Sequence, residues 1–284
     1  MRRLVFLLVI SCVPVTWPLA AGAGGGQVSS APDPLHAPLD EILDMNVRDG
    51  LVYYRALQSQ RGKLDRYAAS LDVPAATYSA WTREAQMAFW VNAYNTFVLQ
   101  SVIDRYPIRG KSPDYPPSSI RQIPGVFEKS THRAAGRSVA LDDIEKTILP
   151  EFKEPRLFLA LGRGAIGSGR LRSEAFTASR LASQLDEVGA EFVRREQMVK
   201  IDRIANRVSV TSILSWNADH FIAAYDPGAS GPYAARSPIE RALVAFITPH
   251  LFPLEREFIE ENKFSVVYHP FDWRLNDLTG GLPK

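Results

Sequence analysis

The chain has a single cysteine, Cys12, set in an N-terminal apolar run. If that run is a cleaved leader, the rest of the chain has no thiol at all. Disulfides, a thiolate nucleophile and cysteine-ligated metal are then all excluded. Histidine is scarce too, with five residues at positions 36, 132, 220, 250 and 269, and no two of them stand at ligand spacing. No Asp/Glu cluster follows a calcium-loop pattern, so neither a metal nor a cofactor is expected. No apolar run reaches the length of about 20 residues that a membrane span requires. Charge of one sign is also missing, with 33 Lys and Arg against 31 Asp and Glu. Losing Arg2 and Arg3 with a leader takes the formal net charge from +2 to zero. A chain without a global field does not gather a polyanion, which argues against nucleic-acid binding. Internal repeats, heptads and a second domain boundary are lacking as well.

What is present begins with a targeting pattern. Arg2 and Arg3 precede the apolar run Leu4 to Ile10, and Ala21-Gly22-Ala23 supplies a small-x-small cleavage site. Pro14 and Pro18 interrupt the run. This is the layout of a secretory signal peptide over residues 1–23, so export to the periplasm or the outside is expected. Val9-Ile10-Ser11-Cys12 offers the variant of a lipoprotein site at Cys12, although the signal before it is short. Residues 24–38, rich in Gly and Pro, read as a flexible leader. Residues 39–284 read as one domain with its core between about 80 and 195, and a chain of that size can build its own hydrophobic core.

Periodicity and turn chemistry give the fold class: α+β, a helix-rich single domain with a small antiparallel sheet. The strongest element is Thr82 to Tyr106, which Thr82 can cap and Tyr106-Pro107 ends. At 100° per residue Met87, Ala88, Val91, Val98, Leu99 and Val102 share one face. Glu84 and Asn95 lie near the centre of that face and Asn92 on its edge, so all three need polar partners. Thr177 to Arg195 is a second helix, and Ser212 to Phe221 and Ser237 to Ile247 are further ones. Hairpins are expected at Asp49-Gly50, around Gly136 and at Asn206.

The stretch that bears most on function is Arg156 to Arg172, RLFLALGRGAIGSGRLR. An apolar run, Leu157 to Leu161, reads as a strand and leads into four glycines at 162, 164, 167 and 169. Fixing so many glycines costs much backbone entropy, so the loop is expected to make a sharp turn, a close approach or a site.

Several runs resemble a known family. Phe89-Trp90-Val91-Asn92-Ala93-Tyr94-Asn95 is similar to the Phe-Trp-Ile-Asn-x-Tyr-Asn signature of domain-of-unknown-function family 547. Asn46 to Tyr54, Leu141-Asp142-Asp143-Ile144-Glu145 and Trp273-x-Leu275-Asn276 look like further landmarks in family order. Members of the family carry a loop with His and two Cys where this chain has its glycines. Aligned residue by residue, the family His falls on Phe158, the first Cys on Arg163 and the second on Ser168. A histidine that follows Ile-Glu in members falls on Lys146. The resemblance implies thiol chemistry for such members and its absence here, since neither group is present.

Four uses of the glycine loop then compete. Gly162-Arg163-Gly164-Ala165-Ile166-Gly167 matches a dinucleotide motif, but Ser168-Gly169 prolongs the loop where a helix should begin. Ser168, at the second cysteine position, is the one candidate nucleophile; it would need a base such as His220 or His269 within reach, and its flanks do not form a nucleophile elbow. Arg163, Arg170 and Arg172 with the loop amides could hold an anion. Alternatively the loop is structural and the protein acts through a surface. The expectation is a catalytically degenerate, exported binding domain for a small anionic or peptide-like ligand or a protein partner. The rival is a serine-based hydrolase of the peptidase or amidase kind. Candidate pocket residues are Glu84, Asn92, Asn95, Arg163 and Arg172, with Glu145 orienting a neighbour.

Overall fold

The computed structural model describes residues 33–230 and 233–279. The segment read as a signal peptide, Cys12 and most of the stretch read as a leader lie outside the described residues. The part of the leader that is described, residues 33–38, is not a loose tether. His36 is buried with its Nδ1 2.7 Å from the Tyr67 hydroxyl, and helix α1 (Ala37–Asn46) starts directly after it.

The architecture is built around one helix. α1 leads through the hairpin β1 (Val47–Arg48) and β2 (Leu51–Val52) into α2 (Tyr54–Ser59), α3 (Gly62–Ser70) and α4 (Ala75–Ser79). α5 (Arg83–Ile103) follows, with Thr82 capping it by accepting from the Ala85 N–H. A single apolar face was expected on α5, and the structure corrects this. Every residue from Met87 to Leu99 is buried, so the helix is enclosed on all sides. A helix that is apolar nearly all round belongs in the centre of a core rather than on its surface. Its few polar groups find partners inside: Trp90 Nε1 donates to the Tyr78 hydroxyl at 2.7 Å, and the Tyr94 hydroxyl donates to Glu145 at 2.9 Å.

Beyond α5 the chain forms a hairpin, β3 (Thr131–Ala134) with β4 (Arg137–Ala140). α6 (Leu141–Asp143) continues as a π-turn, Ile144–Ile148, and a 3-10 turn, Leu149–Phe152. The run expected to be a strand before the glycines, Leu157–Leu161, begins instead in a 3-10 helix, Pro155–Leu159. Pro155 fixes a helical φ at its start, and the Glu154 carboxylate accepts from the Arg156 N–H at 3.2 Å, so the local chemistry is that of a helix start. α7 (Leu181–Arg194) packs back on this segment.

The last third holds β5 (Val199–Asp202), β6 (Arg207–Thr211), α8 (Ser212–Trp216), α9 (Ala218–Tyr225), α10 (Pro238–Ile247), α11 (Pro253–Glu261) and β7 (Ser265–His269). β5 and β6 are an antiparallel hairpin turning through Asn206 at φ +49°. β7 then adds beside β6 in parallel, so the three-stranded sheet is mixed, not purely antiparallel. A parallel neighbour requires a long crossover, and α8 to α11 supply it. The fold is helix-rich α+β with sheets of two and three strands. No described helix is long and apolar enough to cross a membrane.

The first and last landmark runs meet. Asn276 donates to the Gly50 carbonyl at 2.9 Å and accepts from the Tyr54 hydroxyl at 2.6 Å. Asn276 thus ties the C-terminal segment to the first hairpin.

Burial depresses the His36 pKa from 6.5 to about 4, against a smaller opposing effect of Asp33. The folded protein therefore holds His36 neutral, and the unfolded chain takes up the proton first on acidification. Stability from this group is full above pH 6.5 and is lost as pH falls from there towards 4, by at most about 3 kcal/mol. Thermal unfolding of the wild type and His36→Gln across that window should show a shallower acid slope for the variant. Parallel slopes would contradict the assignment.

Candidate functional site

Two asparagines one turn apart on α5 set the glycine loop in place. Asn95 donates from Nδ2 to the Ala160 carbonyl at 3.2 Å and accepts from the Gly162 N–H at 2.8 Å. Asn92 donates to the Phe176 carbonyl at 2.8 Å and accepts from the Phe176 N–H at 3.0 Å. Both side chains are buried, and each uses its amide as a two-point clamp on backbone. They are not pocket walls. The expected polar partners exist, and they are main chain.

The loop is satisfied within the protein. The Arg163 N–H donates to Ser168 Oγ at 2.9 Å, the Ile166 N–H to the Arg274 carbonyl at 2.8 Å, and the Gly167 N–H to the Asp272 carbonyl at 2.8 Å. The glycines are needed for fit. Gly164 has φ +66°, a conformation that costs an L side chain dearly. At Gly169 a Cβ would lie 1.7 Å from the Leu159 carbonyl oxygen, so no other residue can occupy that close approach. Amides committed in this way are not left to cradle a phosphate, and the dinucleotide motif has no strand before it.

Arg163 points the other way from its own amide. Its guanidinium is buried and pairs with the Glu145 carboxylate, Nε lying 3.1 and 3.2 Å from the two oxygens. Nη1 reaches the Phe158 carbonyl at 3.3 Å. Burial is the largest single effect and works to lower the Arg163 pKa, but the Glu145 charge, Tyr94 and the hydrogen bond to Glu145 together outweigh it, so the group is held above its ordinary value. Burial first, and Glu145 second, push the Tyr94 hydroxyl well up from its usual pKa.

The Arg163–Glu145 pair forms the floor of a cleft of about 380 Å³. Arg121, Phe127, Trp216, His220 and Trp273 are among its walls. His220 leans on Phe158 with ring centroids 5.1 Å apart. The positions aligned with the family's first cysteine, its loop histidine and the histidine after Ile-Glu are thus gathered at one place. They carry Arg163, Phe158 under His220, and Lys146 at the rim.

The other expected site residues lie elsewhere. Glu84 is exposed in the first turn of α5, where a carboxylate suits the helix dipole, and it lines no part of the cleft. Arg172 pairs with Glu174 and Glu187 beside a separate pocket that it shares with Arg170, Asp40 and Asp44. Arg170 is held by Glu191 at 2.8 Å and Asp49 at 3.2 Å. Each of the three arginines expected to gather an anion therefore has carboxylate partners, and only Arg163 faces the cleft. Ser168 is buried, and its hydroxyl is occupied by the Arg163 N–H; neither His220 nor His269 hydrogen-bonds to it. Missing from the sequence reading were Arg121 as a cleft residue, His220 in any role but a base for Ser168, and the pairing of Trp216 with Trp273. They come from three stretches of the chain, around Arg121, from Trp216 to His220, and at Trp273, and no local spacing links the three.

Residues 78–193 match the model of a family described as Protein of unknown function, DUF547. Over these residues the chain is similar to that family. The match runs from Tyr78 to Val193 and so contains α5, Glu145, the glycine loop and most of α7, while Trp216, His220 and Trp273 lie after it. No curated protein and no solved structure matches the chain. Within the matched residues the glycine loop holds neither cysteine nor histidine, and Arg163 and Phe158 stand at the positions the sequence resemblance aligned with them.

Removing one member of a buried ion pair leaves the other uncompensated, at a cost of about 3–5 kcal/mol. Glu145→Gln and Arg163→Met should each lower unfolding stability on that scale in urea melts. The double variant should cost clearly less than the two together, because it leaves no orphan charge. Simple additivity would show that the two groups do not act as a pair.

Proposed function

We propose that this is an exported cell-envelope protein whose DUF547 domain is a catalytically degenerate binding domain, taking a ligand or partner in the Arg163 cleft without cleaving it. The observation that carries the reading is the residue at the floor. Where family members place a cysteine, this chain places Arg163, a buried cation bonded to Glu145 and devoid of nucleophilic character. A guanidinium is protonated at every accessible pH, so it can neither attack a carbonyl nor serve as a base.

The serine alternative is weaker on the same geometry. A serine nucleophile needs a base at hydrogen-bond distance and room for the substrate carbonyl. Ser168 Oγ instead accepts from a loop N–H beneath the surface. Export is supported by Arg2 and Arg3, the apolar run after them, and Ala21-Gly22-Ala23.

The binding reading expects ester and amide substrates to be turned over at the buffer rate, and a fluorophosphonate serine probe to leave the protein unlabelled. Ser168→Ala should leave both results as they are. Hydrolysis or labelling abolished by Ser168→Ala would establish the hydrolase instead.

A further inference from the structure

The chemistry of the cleft narrows its ligand. Three cations line it, and each is already neutralised in place. Arg163 pairs with Glu145, Lys146 with Asp142 at 2.6 Å, and Arg121 with Glu128 at 2.7 Å. An anionic ligand would have to displace a carboxylate, and a cationic one would have to displace a guanidinium or ammonium. A wholly apolar ligand would strip water from the ion pairs and return nothing, which is costly. The charge balance favours a neutral ligand that carries many hydrogen-bonding groups.

The walls supply the complementary requirement. Trp216 ends α8 with half its surface exposed. Its indole plane lies within 22° of that of Trp273, with centroids 6.4 Å apart. A ring held between two aromatic planes needs a contact of about 3.5–4.0 Å on each side, or about 7–8 Å in all. The spacing is too short for that, so a ligand must lie against an aromatic face, not between the two. Trp273 is fixed from behind. The Arg121 guanidinium sits 4.7 Å from its ring centre and 4.3 Å from that of Phe127, and Phe271 packs 4.4 Å away. Trp216 also packs on Phe271 at 5.1 Å. The aromatic wall is therefore preorganised, and little ordering entropy remains to be spent on binding.

A peptide fits less well. Extended peptides are held by adding to a free strand edge, and no strand contributes to this cleft. A ring with an apolar C–H face and equatorial hydroxyls meets both demands at once. Its face covers indole, while its hydroxyls bond to Asp142, Lys146, Glu145 and His220 at the cleft wall. We infer that the cleft binds a neutral pyranose oligosaccharide, with one sugar ring stacked on Trp216. This rests on the binding reading of the same cleft, and its volume of about 380 Å³ lies in the ~300–1,000 Å³ range of small-ligand sites.

The test is a titration of the full-length mature protein, followed by tryptophan fluorescence and calorimetry. The probes are chitotetraose, cellotetraose, maltotetraose, trigalacturonate and tetra-alanine. At least one neutral sugar should bind saturably below ~10 mM. Trp216→Ala, which removes an exposed ring, should weaken binding about tenfold or more, with an unchanged near-ultraviolet spectrum showing the fold intact. Trp216→Phe should restore part of the loss. Binding by none of the three neutral sugars, or binding indifferent to Trp216, would overturn the inference. Trp216-dependent binding of only trigalacturonate or tetra-alanine would overturn the sugar assignment and leave the binding reading standing. Turnover of a bound sugar would overturn the binding reading and leave the sugar assignment standing.

Discussion

A helix buried on every side has no room for an unmatched polar group, and α5 carries two side-chain amides in its middle. Asn92 and Asn95 meet that constraint by pairing with backbone rather than with each other or with water. Losing either match would cost about 1–3 kcal/mol in buried, unpaired groups. The consequence reaches well beyond the helix. Asn95 fixes the two ends of the turn at Ala160 and Gly162, and Asn92 fixes Phe176 after it, so the whole glycine segment is held against the core helix. With the loop backbone pinned, Arg163 has only one direction in which to extend, towards Glu145. Glu145 is itself held by the Tyr94 hydroxyl from the same helix. One helix therefore specifies the loop, the ion pair and the cleft floor together.

This arrangement holds the loop's shape without calling on a cysteine or histidine within it. The clamps are made with backbone groups, which any residue provides. The loop's path is therefore set by main-chain groups, while the side chain of Arg163 adds a buried ion pair to it. The side chains decide the chemistry offered to the cleft. The loop brings a paired cation and, under His220, a phenyl ring, and later segments add the indoles of Trp216 and Trp273.

Much of the fold was legible in the sequence because local chemistry decided it. Thr82 caps α5 as its hydroxyl and position require, Asn206 turns its hairpin with a positive φ, and Ser237-Pro238 opens α10. Leu157 to Leu161 misled because an apolar run of five suits a buried strand or a buried helix equally. Pro155 and the Glu154 carboxylate decided for the helix. Glu84 misled for a related reason: the stripe drawn on α5 assumed one buried face, whereas burial depends on depth along the helix, and the first turn emerges into solvent. The asparagines were correctly read as needing partners, but a periodicity cannot tell backbone from ligand. The cleft was the least legible part. Arg121, Glu145, Trp216, His220 and Trp273 are brought together by tertiary packing alone, and the parallel addition of β7 that returns the chain towards Trp273 has no signature in its five residues.

The central claim is that the glycine loop is a finished structural clamp, not a cradle awaiting an anion. Amide hydrogen exchange at Gly162, Arg163, Ile166 and Gly167 tests this most directly, measured with and without inorganic phosphate. The account predicts slow exchange for all four, close to the rate set by global unfolding and unchanged by phosphate. Fast exchange that phosphate suppresses would contradict it, because those N–H groups would then be donors held in reserve for a ligand.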